Sequence, residues 1–325
     1  MPTSLSAVIF KTGGPDAFSL VDTPVPAAGT NELVIKHTAI GVNFIDTYYR
    51  AGLYDIELPA ILGDEAVGVI QQVGEGVKNF SVGQRVAYPA TKGAYSQSRT
   101  IHCHDVVPVP DSLDDLTVAA SLMRGLTVEY LFCRLYELKA GETILIHAAA
   151  GGVGSIACQW AKAIGATVIG TVSSAQKAEL ARQYGCDYPI IYTQQDFVEE
   201  VLNITQGKKV DVVYDSVGKD TFMKSLDCLR PRGLMVSYGN ASGKPDPFDV
   251  LELSKRGSLY LTRPSLYHYT RTQEELLASS ARYFDMLIQG KIKITLGKTF
   301  PLEQVANAHY YLESRDRVGT PILIP

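Results

Sequence analysis

The run Ala148-Ala149-Ala150-Gly151-Gly152-Val153-Gly154 follows a β-branched and aliphatic stretch at residues 143–147. It precedes a segment with Val153, Ile156, Ala157, Trp160, Ala161 and Ile164 at three- and four-residue spacing. A strand that feeds a glycine turn and then an amphipathic helix gathers backbone N–H groups and the positive end of a helix dipole at one point, which is the chemistry of holding a pyrophosphate. Gly151 lets the backbone approach the phosphates. Gly154 lets that helix pack close to the strand, and Ala149 stands where the usual fingerprint has its first glycine. Gly165 is expected to close the helix.

About twenty residues beyond such a turn, NAD sites carry an acid against the ribose hydroxyls. Here the next β-branched run ends Gly170-Thr171-Val172-Ser173-Ser174, with Lys177 one helical turn further on. Hydroxyl donors and a positive charge suit an adenosine 2′-phosphate, which an acid would repel, so NADPH is expected over NADH. The structural alternative makes Ser173 a helix N-cap and Lys177 a solvated lysine.

His102-Cys103-His104 sets three ligand-competent side chains in succession. If the segment is a strand, His102 and His104 share a face while Cys103 points away, so the three do not close a tetrahedral site and no metal is expected. Tyr48, Tyr49 and Tyr54 are aromatic residues with a polar tip, able to hold a flat acceptor or simply to pack a wall. Asp46 reads as a turn or hydrogen-bonding residue and His147 as structural.

The elements that position these groups fall into two kinds. Up to about residue 120 the chain reads as short strands, among them 7–10, 32–40, 67–73 and 85–88, punctuated by Gly13-Gly14-Pro15, Gly74-Glu75-Gly76 and Pro108-Val109-Pro110. Beyond residue 121, β-branched runs at 143–147, 167–172, 189–192, 210–215, 234–238 and 258–261 alternate with amphipathic segments, as in a doubly wound parallel sheet. Helices at 273–289 and 302–313 and a strand at 321–324 return to the first domain. The expected division is 1–122, completed by 264–325, and 123–263.

The 325 residues are 46% hydrophobic and 20% charged, with a formal net charge of −4. That composition is ordinary for a soluble globular protein, and with a pI near 5.9 it disfavours nucleic-acid and membrane-surface partners. No secretory pattern opens the sequence and no apolar run approaches a bilayer span, so cytoplasmic residence is the expectation. Five widely spaced cysteines do not form a disulfide framework.

Glu65-Ala66-Val67-Gly68 through Val73-Gly74-Glu75-Gly76-Val77, then Gly83-Gln84-Arg85-Val86, resembles the signature of the medium-chain dehydrogenase/reductase superfamily. Gly41-Val42-Asn43-Phe44-Ile45-Asp46-Thr47-Tyr48, Gly125-Leu126-Thr127, Val213-Tyr214-Asp215-Ser216-Val217-Gly218 and Arg263-Pro264-Ser265-Leu266 resemble its zinc-free quinone oxidoreductase branch. The resemblance implies an α/β fold with a GroES-like β-barrel catalytic domain and a doubly wound Rossmann dinucleotide-binding domain. It places Asn43, Tyr48 and Thr127 at the nicotinamide end and Gly151, Gly152 and Val153 at the pyrophosphate. Ser173, Lys177 and Tyr192 fall at the adenosine 2′-phosphate; Ser216, Tyr238 and Asn240 fall along the ribose and nicotinamide, with Arg263 and Arg315 further cofactor contacts. It also implies that Asn43 and Asp64 occupy the positions where zinc-dependent relatives carry Cys and His. An enzyme that reduces quinones with NADPH is therefore expected, the acceptor held among Asn43, Tyr48 and Tyr54. The alternatives are reduction of enone or alkenal double bonds, and a non-catalytic NADPH-binding role of the crystallin or RNA-binding kind. A homodimer is expected, paired at the sheet edge near residues 258–261.

Overall fold

A computed structural model describes residues 2–314 and 316–325. Two compact units emerge: Met1–Leu126 with Tyr269–Gln289 and Lys293–Pro325, and Thr127–His268 with Gly290–Ile292.

The first unit is built on two β-sheets. In one, Thr3–Ile9 pairs with Phe18–Pro24 and Ala60–Ile61; in the other, the ten-residue strand Glu32–Gly41 pairs with Glu65–Val73, Ser98–His102 and Thr320–Ile324. Leu33 and Ile35, and Ile40 beyond a register shift between His37 and Ala39, enter the core beside Ile70, Val86, Tyr88 and Tyr95. Gly68 sits where its neighbour crosses too closely for a side chain: a Cβ there would meet the Lys36 carbonyl at 2.3 Å. His37 is a polar group in this core. Its Nδ1 donates to the Ser96 carbonyl at 2.7 Å, its Nε2 accepts from the Tyr88 hydroxyl at 2.9 Å, and burial lowers its pKa to about 4.

The second unit carries a six-stranded sheet in the order Tyr188–Ile191, Thr167–Val172, Thr143–Ile146, Val210–Asp215, Leu229–Ser237, Tyr260–Thr262. All its pairings are parallel. The chain therefore starts in the middle of the sheet, works outward one way, and returns to work outward the other way. The reversal lies between Thr143–Ile146 and Val210–Asp215, and the crevice beyond the carboxyl ends of strands at such a point is where nucleotides bind in open α/β sheets. Helix Gly152–Ile164 buries Ile156, Ala157, Trp160 and Ala161, and Gly165 closes it with φ 96°.

Both sequence-derived architectures hold, the GroES-like barrel and the Rossmann sheet, with shifts at the ends. The expected strand at 258–261 lies at Tyr260–Thr262, because Ser258 turns left-handed with φ 56°. The expected helix at 302–313 opens with a 3-10 turn, Leu302–Gln304, before Val305–Glu313. No described helix is long and apolar enough to cross a membrane.

Candidate active site

In the second unit the strand Thr143–Ile146 ends at His147, whose ring is wedged in the interior. Its Nδ1 lies 2.9 Å from Thr171 Oγ1 and its Nε2 2.8 Å from Ser225 Oγ, and burial lowers its pKa, so it is a structural, neutral ring. Ala148 then turns left-handed with φ 55°, a conformation that an L-residue adopts only under constraint. Gly151 precedes the helix and contributes no side-chain cap, so the first-turn N–H groups are left for a ligand. A Cβ on Gly154 would lie 2.3 Å from the Ala148 carbonyl oxygen and 2.8 Å from the backbone of Ala149. Both partners are main chain and cannot give way, so glycine is required for helix and turn to meet.

At the next strand end the alternative reading of Ser173 as a helix cap is off by one residue. Ser174, not Ser173, caps helix Ala175–Gln183, its Oγ accepting from the Lys177 N–H at 3.3 Å. Ser173 meanwhile offers its carbonyl to Thr193 Oγ1 at 3.2 Å. Lys177 is half-buried and Tyr192 exposed.

Asp215, fully buried at the end of its strand, accepts from Val217 N (2.8 Å), Gly218 N (3.0 Å) and Thr221 Oγ1, and so fixes the loop that carries Ser216. Tyr238 N donates to the Asp215 carbonyl at 2.8 Å, and Ala241 N, next to the buried Asn240, donates to that of Ser216 at 3.2 Å. Arg263 spans the Ser237 and Gly239 carbonyls at 2.9 and 3.0 Å. The structure thus gathers Ser216, Tyr238, Asn240 and Arg263 at neighbouring strand ends. Thr127 sits apart from them in sequence on helix Leu122–Tyr130. Arg315 lies outside the described residues.

In the first unit Asn43 precedes helix Phe44–Arg50. Its backbone N–H donates to Asp46 Oδ2 at 2.8 Å and its side-chain amide to Glu65 Oε1 at 2.6 Å. Glu65 Oε2 accepts from Met123 N at 2.7 Å. Arg124, also buried, supplies positive charge toward Glu65 while its guanidinium donates to the Ala120 and Val42 carbonyls and to Thr320 Oγ1. Behind Asp46 runs a hydrogen-bonded series. Tyr95 donates its hydroxyl proton to Asp46 Oδ2 at 2.7 Å, and His309 Nε2 lies 3.1 Å from the Tyr95 hydroxyl oxygen. Arg50 lies 2.7 Å from His309 Nδ1 and reaches exposed Glu313 at 2.5 Å. With Arg50 as donor to Nδ1, His309 must carry its proton on Nε2, so the donors from Arg50 through His309 and Tyr95 point toward Asp46, while Arg50 also donates to Glu313.

Burial, reinforced by the charge of Asp64, raises the Asp46 pKa to about 8. Burial with the Arg50 charge lowers that of His309 to about 3. Near neutrality Asp46 is thus the neutral acid. Because Oδ2 already accepts two donors and Oδ1 has no hydrogen-bond partner among the described residues, the acid proton belongs on Oδ1. Sequence reading had missed Tyr95, Arg124, Arg50 and His309. Their only signal was being charged or polar inside otherwise apolar stretches.

Helix Phe44–Arg50 carries Tyr48, whose ring packs edge-on to Tyr54 at 5.2 Å and to Phe44 at 5.9 Å; Tyr49 meets Tyr54 at 5.6 Å. The structure brings Asn43, Tyr48 and Tyr54 onto one short stretch. Zinc demands lone pairs from Cys, His or carboxylate in tetrahedral array. Here Asn43 presents N–H, both oxygens of Glu65 are taken by donors, and Asp46 is neutral. That donor set does not fit the ion.

At His102 a sequence expectation fails. The strand Ser98–His102 ends there, and Cys103–Asp105 form a 3-10 turn. A turn, unlike a strand, does not alternate its side chains, and the ligand atoms of His102, Cys103 and His104 all lie within 4.8 Å of one another.

Residues 29–137 match the family described as "Alcohol dehydrogenase GroES-like domain" and residues 152–281 the one described as "Zinc-binding dehydrogenase". The chain is 47% identical to a 2-haloacrylate reductase of a Burkholderia species, covering 99% of each chain. It is 48% identical to a quinone oxidoreductase of Pseudomonas aeruginosa, covering 96% of this chain and 97% of that one. A crystal structure of Escherichia coli quinone oxidoreductase complexed with NADPH superposes with a TM-score of 0.96 at 46% identity, covering 99% of this chain and 100% of that one. With its glycine turn, its doubly wound sheet and an asparagine at the head of helix Phe44–Arg50, the chain belongs to the quinone oxidoreductase family of the medium-chain dehydrogenases/reductases.

Proposed function

We propose that this protein is an NADPH-dependent reductase of quinones that works without a bound metal. The observation that carries the reading is the pairing of an uncapped glycine turn with an adenosine-side strand end that holds Ser173, Ser174 and Lys177 and no acid. Gly151, Gly152 and Val153 offer backbone N–H groups to the pyrophosphate. Ser173, Lys177 and Tyr192 receive the 2′-phosphate, and Ser216, Tyr238, Asn240, Arg263 and Thr127 complete the cofactor's surroundings. When bound, NADPH supplies the electron pair and hydrogen that the acceptor takes up.

Oxidising an alcohol calls for a Lewis acid or a strong base, whereas a quinone is electron-poor enough to be reduced by positioning alone. Asn43, Tyr48 and Tyr54 hold the flat acceptor, and the Tyr48 hydroxyl donates a hydrogen bond to the oxygen that becomes negative. The hydroquinone anion can take its proton from water. Burial raises the pKa of Asp46 and of Glu65 beside Asn43, so this is a poorly solvated setting that favours an uncharged acceptor over an anion.

A second reading, reduction of an activated carbon–carbon double bond, is favoured by the 47% identity to 2-haloacrylate reductase. Following NADPH absorbance with ortho-quinones, para-quinones, alkenals and 2-haloacrylate separates the two. Turnover confined to quinones supports the first; turnover only with alkenals or haloacrylate replaces it with the second. NADPH binding without turnover on any of them would leave a binding protein. Two further parts of the proposal are cytoplasmic residence and a homodimer paired through the edge strand Tyr260–Thr262, which ends its sheet with Tyr260 exposed. Light scattering of the purified protein at twice the 35.3 kDa chain mass is the expected result for the dimer.

A further inference from the structure

We propose that the turn His102-Cys103-His104 binds one zinc ion through two imidazoles and a thiolate. Among the described residues no other group of three His, Cys, Asp or Glu side chains gathers in a way that could hold a metal. The two rings stand 4.6 Å apart between centroids at 76° to each other. In tetrahedral zinc, with bonds of about 2.0–2.3 Å, ligand atoms are roughly 3.5 Å apart. Closing the site from 4.8 Å therefore needs about an ångström of side-chain rotation, which exposed His104 can make without disturbing the core.

The backbone beneath is already fixed. Cys103 N donates to the Asn31 carbonyl at 2.8 Å, the Cys103 carbonyl accepts from Gln273 Nε2 at 3.3 Å, and His102 is held in register opposite Glu32. His102 Nδ1 accepts the His104 N–H at a long 3.3 Å. That nitrogen thus carries no proton and presents a lone pair toward the turn, where a metal would displace a weak bond. Neutral imidazole and thiolate are the donors zinc prefers, and solvent completes the fourth position.

Binding converts the Cys103 thiol to a zinc-bound thiolate and releases one proton to solvent. Nothing is oxidised or reduced. A free thiol carries its proton at neutral pH, and metal binding to thiolate releases it. The ion ties the end of strand Ser98–His102 to the turn that follows it. It lies outside the set built on Asn43 and plays no part in the reduction.

The test is a titration of the full-length protein with Co²⁺, the spectroscopic stand-in for Zn²⁺. One equivalent is expected to give a thiolate-to-cobalt charge-transfer band with the visible bands of tetrahedral cobalt, all abolished by one equivalent of Zn²⁺. The double variant His102→Gln/His104→Gln changes exposed rings and leaves the buried thiol in place. It should bind at least about a hundredfold more weakly, since even the outer partners of metal ligands are worth 10–100-fold. Cys103→Ala, which keeps an apolar side chain in the core, should lose the charge-transfer band. A wild-type titration without that band, or a double variant that titrates like wild type, overturns the proposal.

Discussion

The glycine turn of the second unit and the carboxylate cluster of the first prepare for charge in opposite ways. The turn is made of main chain. Gly151 and Gly154 remove side chains so that N–H groups and a helix end are left unsatisfied, ready for an anion from outside. The cluster is made of side chains, and it satisfies itself. Glu65 takes donors from Asn43 and Met123, Arg124 answers its charge, and Asp46 closes a series from Tyr95 through His309 and Arg50 to Glu313. A surface that awaits a charged ligand stays unpaired, whereas one that must accept a neutral molecule and manage a developing negative charge neutralises its own groups in advance.

If that contrast is right, damage to the two regions should differ in kind. The largest effect is expected from Arg124→Met. Removing the guanidinium leaves the Val42 and Ala120 carbonyls unpaired and Glu65 without its counter-charge, at a cost of about 3–5 kcal/mol of folding stability in urea denaturation. Gly154→Val should instead act on the ligand, because its new side chain collides with the Ala148 and Ala149 main chain. NADPH affinity measured by calorimetry should fall at least about a hundredfold, roughly 2.7 kcal/mol. A Gly154→Val protein that binds NADPH normally would break the comparison. Next, Lys177→Ala should lower the preference for NADPH over NADH by about ten- to a hundredfold in kcat/KM, the worth of a charge-assisted contact.

The smallest effect sharpens the account of the cluster. The folded-state pKa of Asp46 is raised from 3.8 to about 8, so between those values the folded chain holds a proton that the unfolded chain has released. Stability must fall as pH rises through that window, by at most about 1.4 kcal/mol per pH unit. His37 and His309 act in the other sense: lowered from 6.5 to about 4 and about 3, they contribute stability that is lost as pH falls below 6.5. Above pH 6.5 the Asp46 effect stands clear of the histidines. Asp46→Asn, which mimics the neutral acid, should flatten the decline between pH 6.5 and 8. An unchanged slope would mean that Asp46 is ionised in the folded protein.

The same contrast explains what could be read from the chain beforehand. Gly151, Gly154 and the Ser173-Ser174 strand end were readable because a main-chain site constrains residue size within one short stretch, between a strand and a helix whose periods are visible. The relay behind Asp46 was not, since Tyr95 and His309 come from positions 214 residues apart and no local spacing marks their meeting. The alternative reading of Ser173 as a helix cap falls one residue short of Ser174, which caps the helix, because two adjacent serines fit the same local rule. At His102-Cys103-His104 the error was one of period. Strand alternation was carried over Cys103 and His104, two residues past the end of the strand at His102, and the turn they form decides whether the thiol faces the imidazoles.

Whether electrons leave the cofactor for a quinone with no cation's help is tested most directly by one rate. Protein stripped with a strong chelator should oxidise NADPH with a quinone acceptor as fast as untreated protein, and added zinc should leave that rate unchanged. A rate that collapses on chelation and returns with zinc would contradict the account.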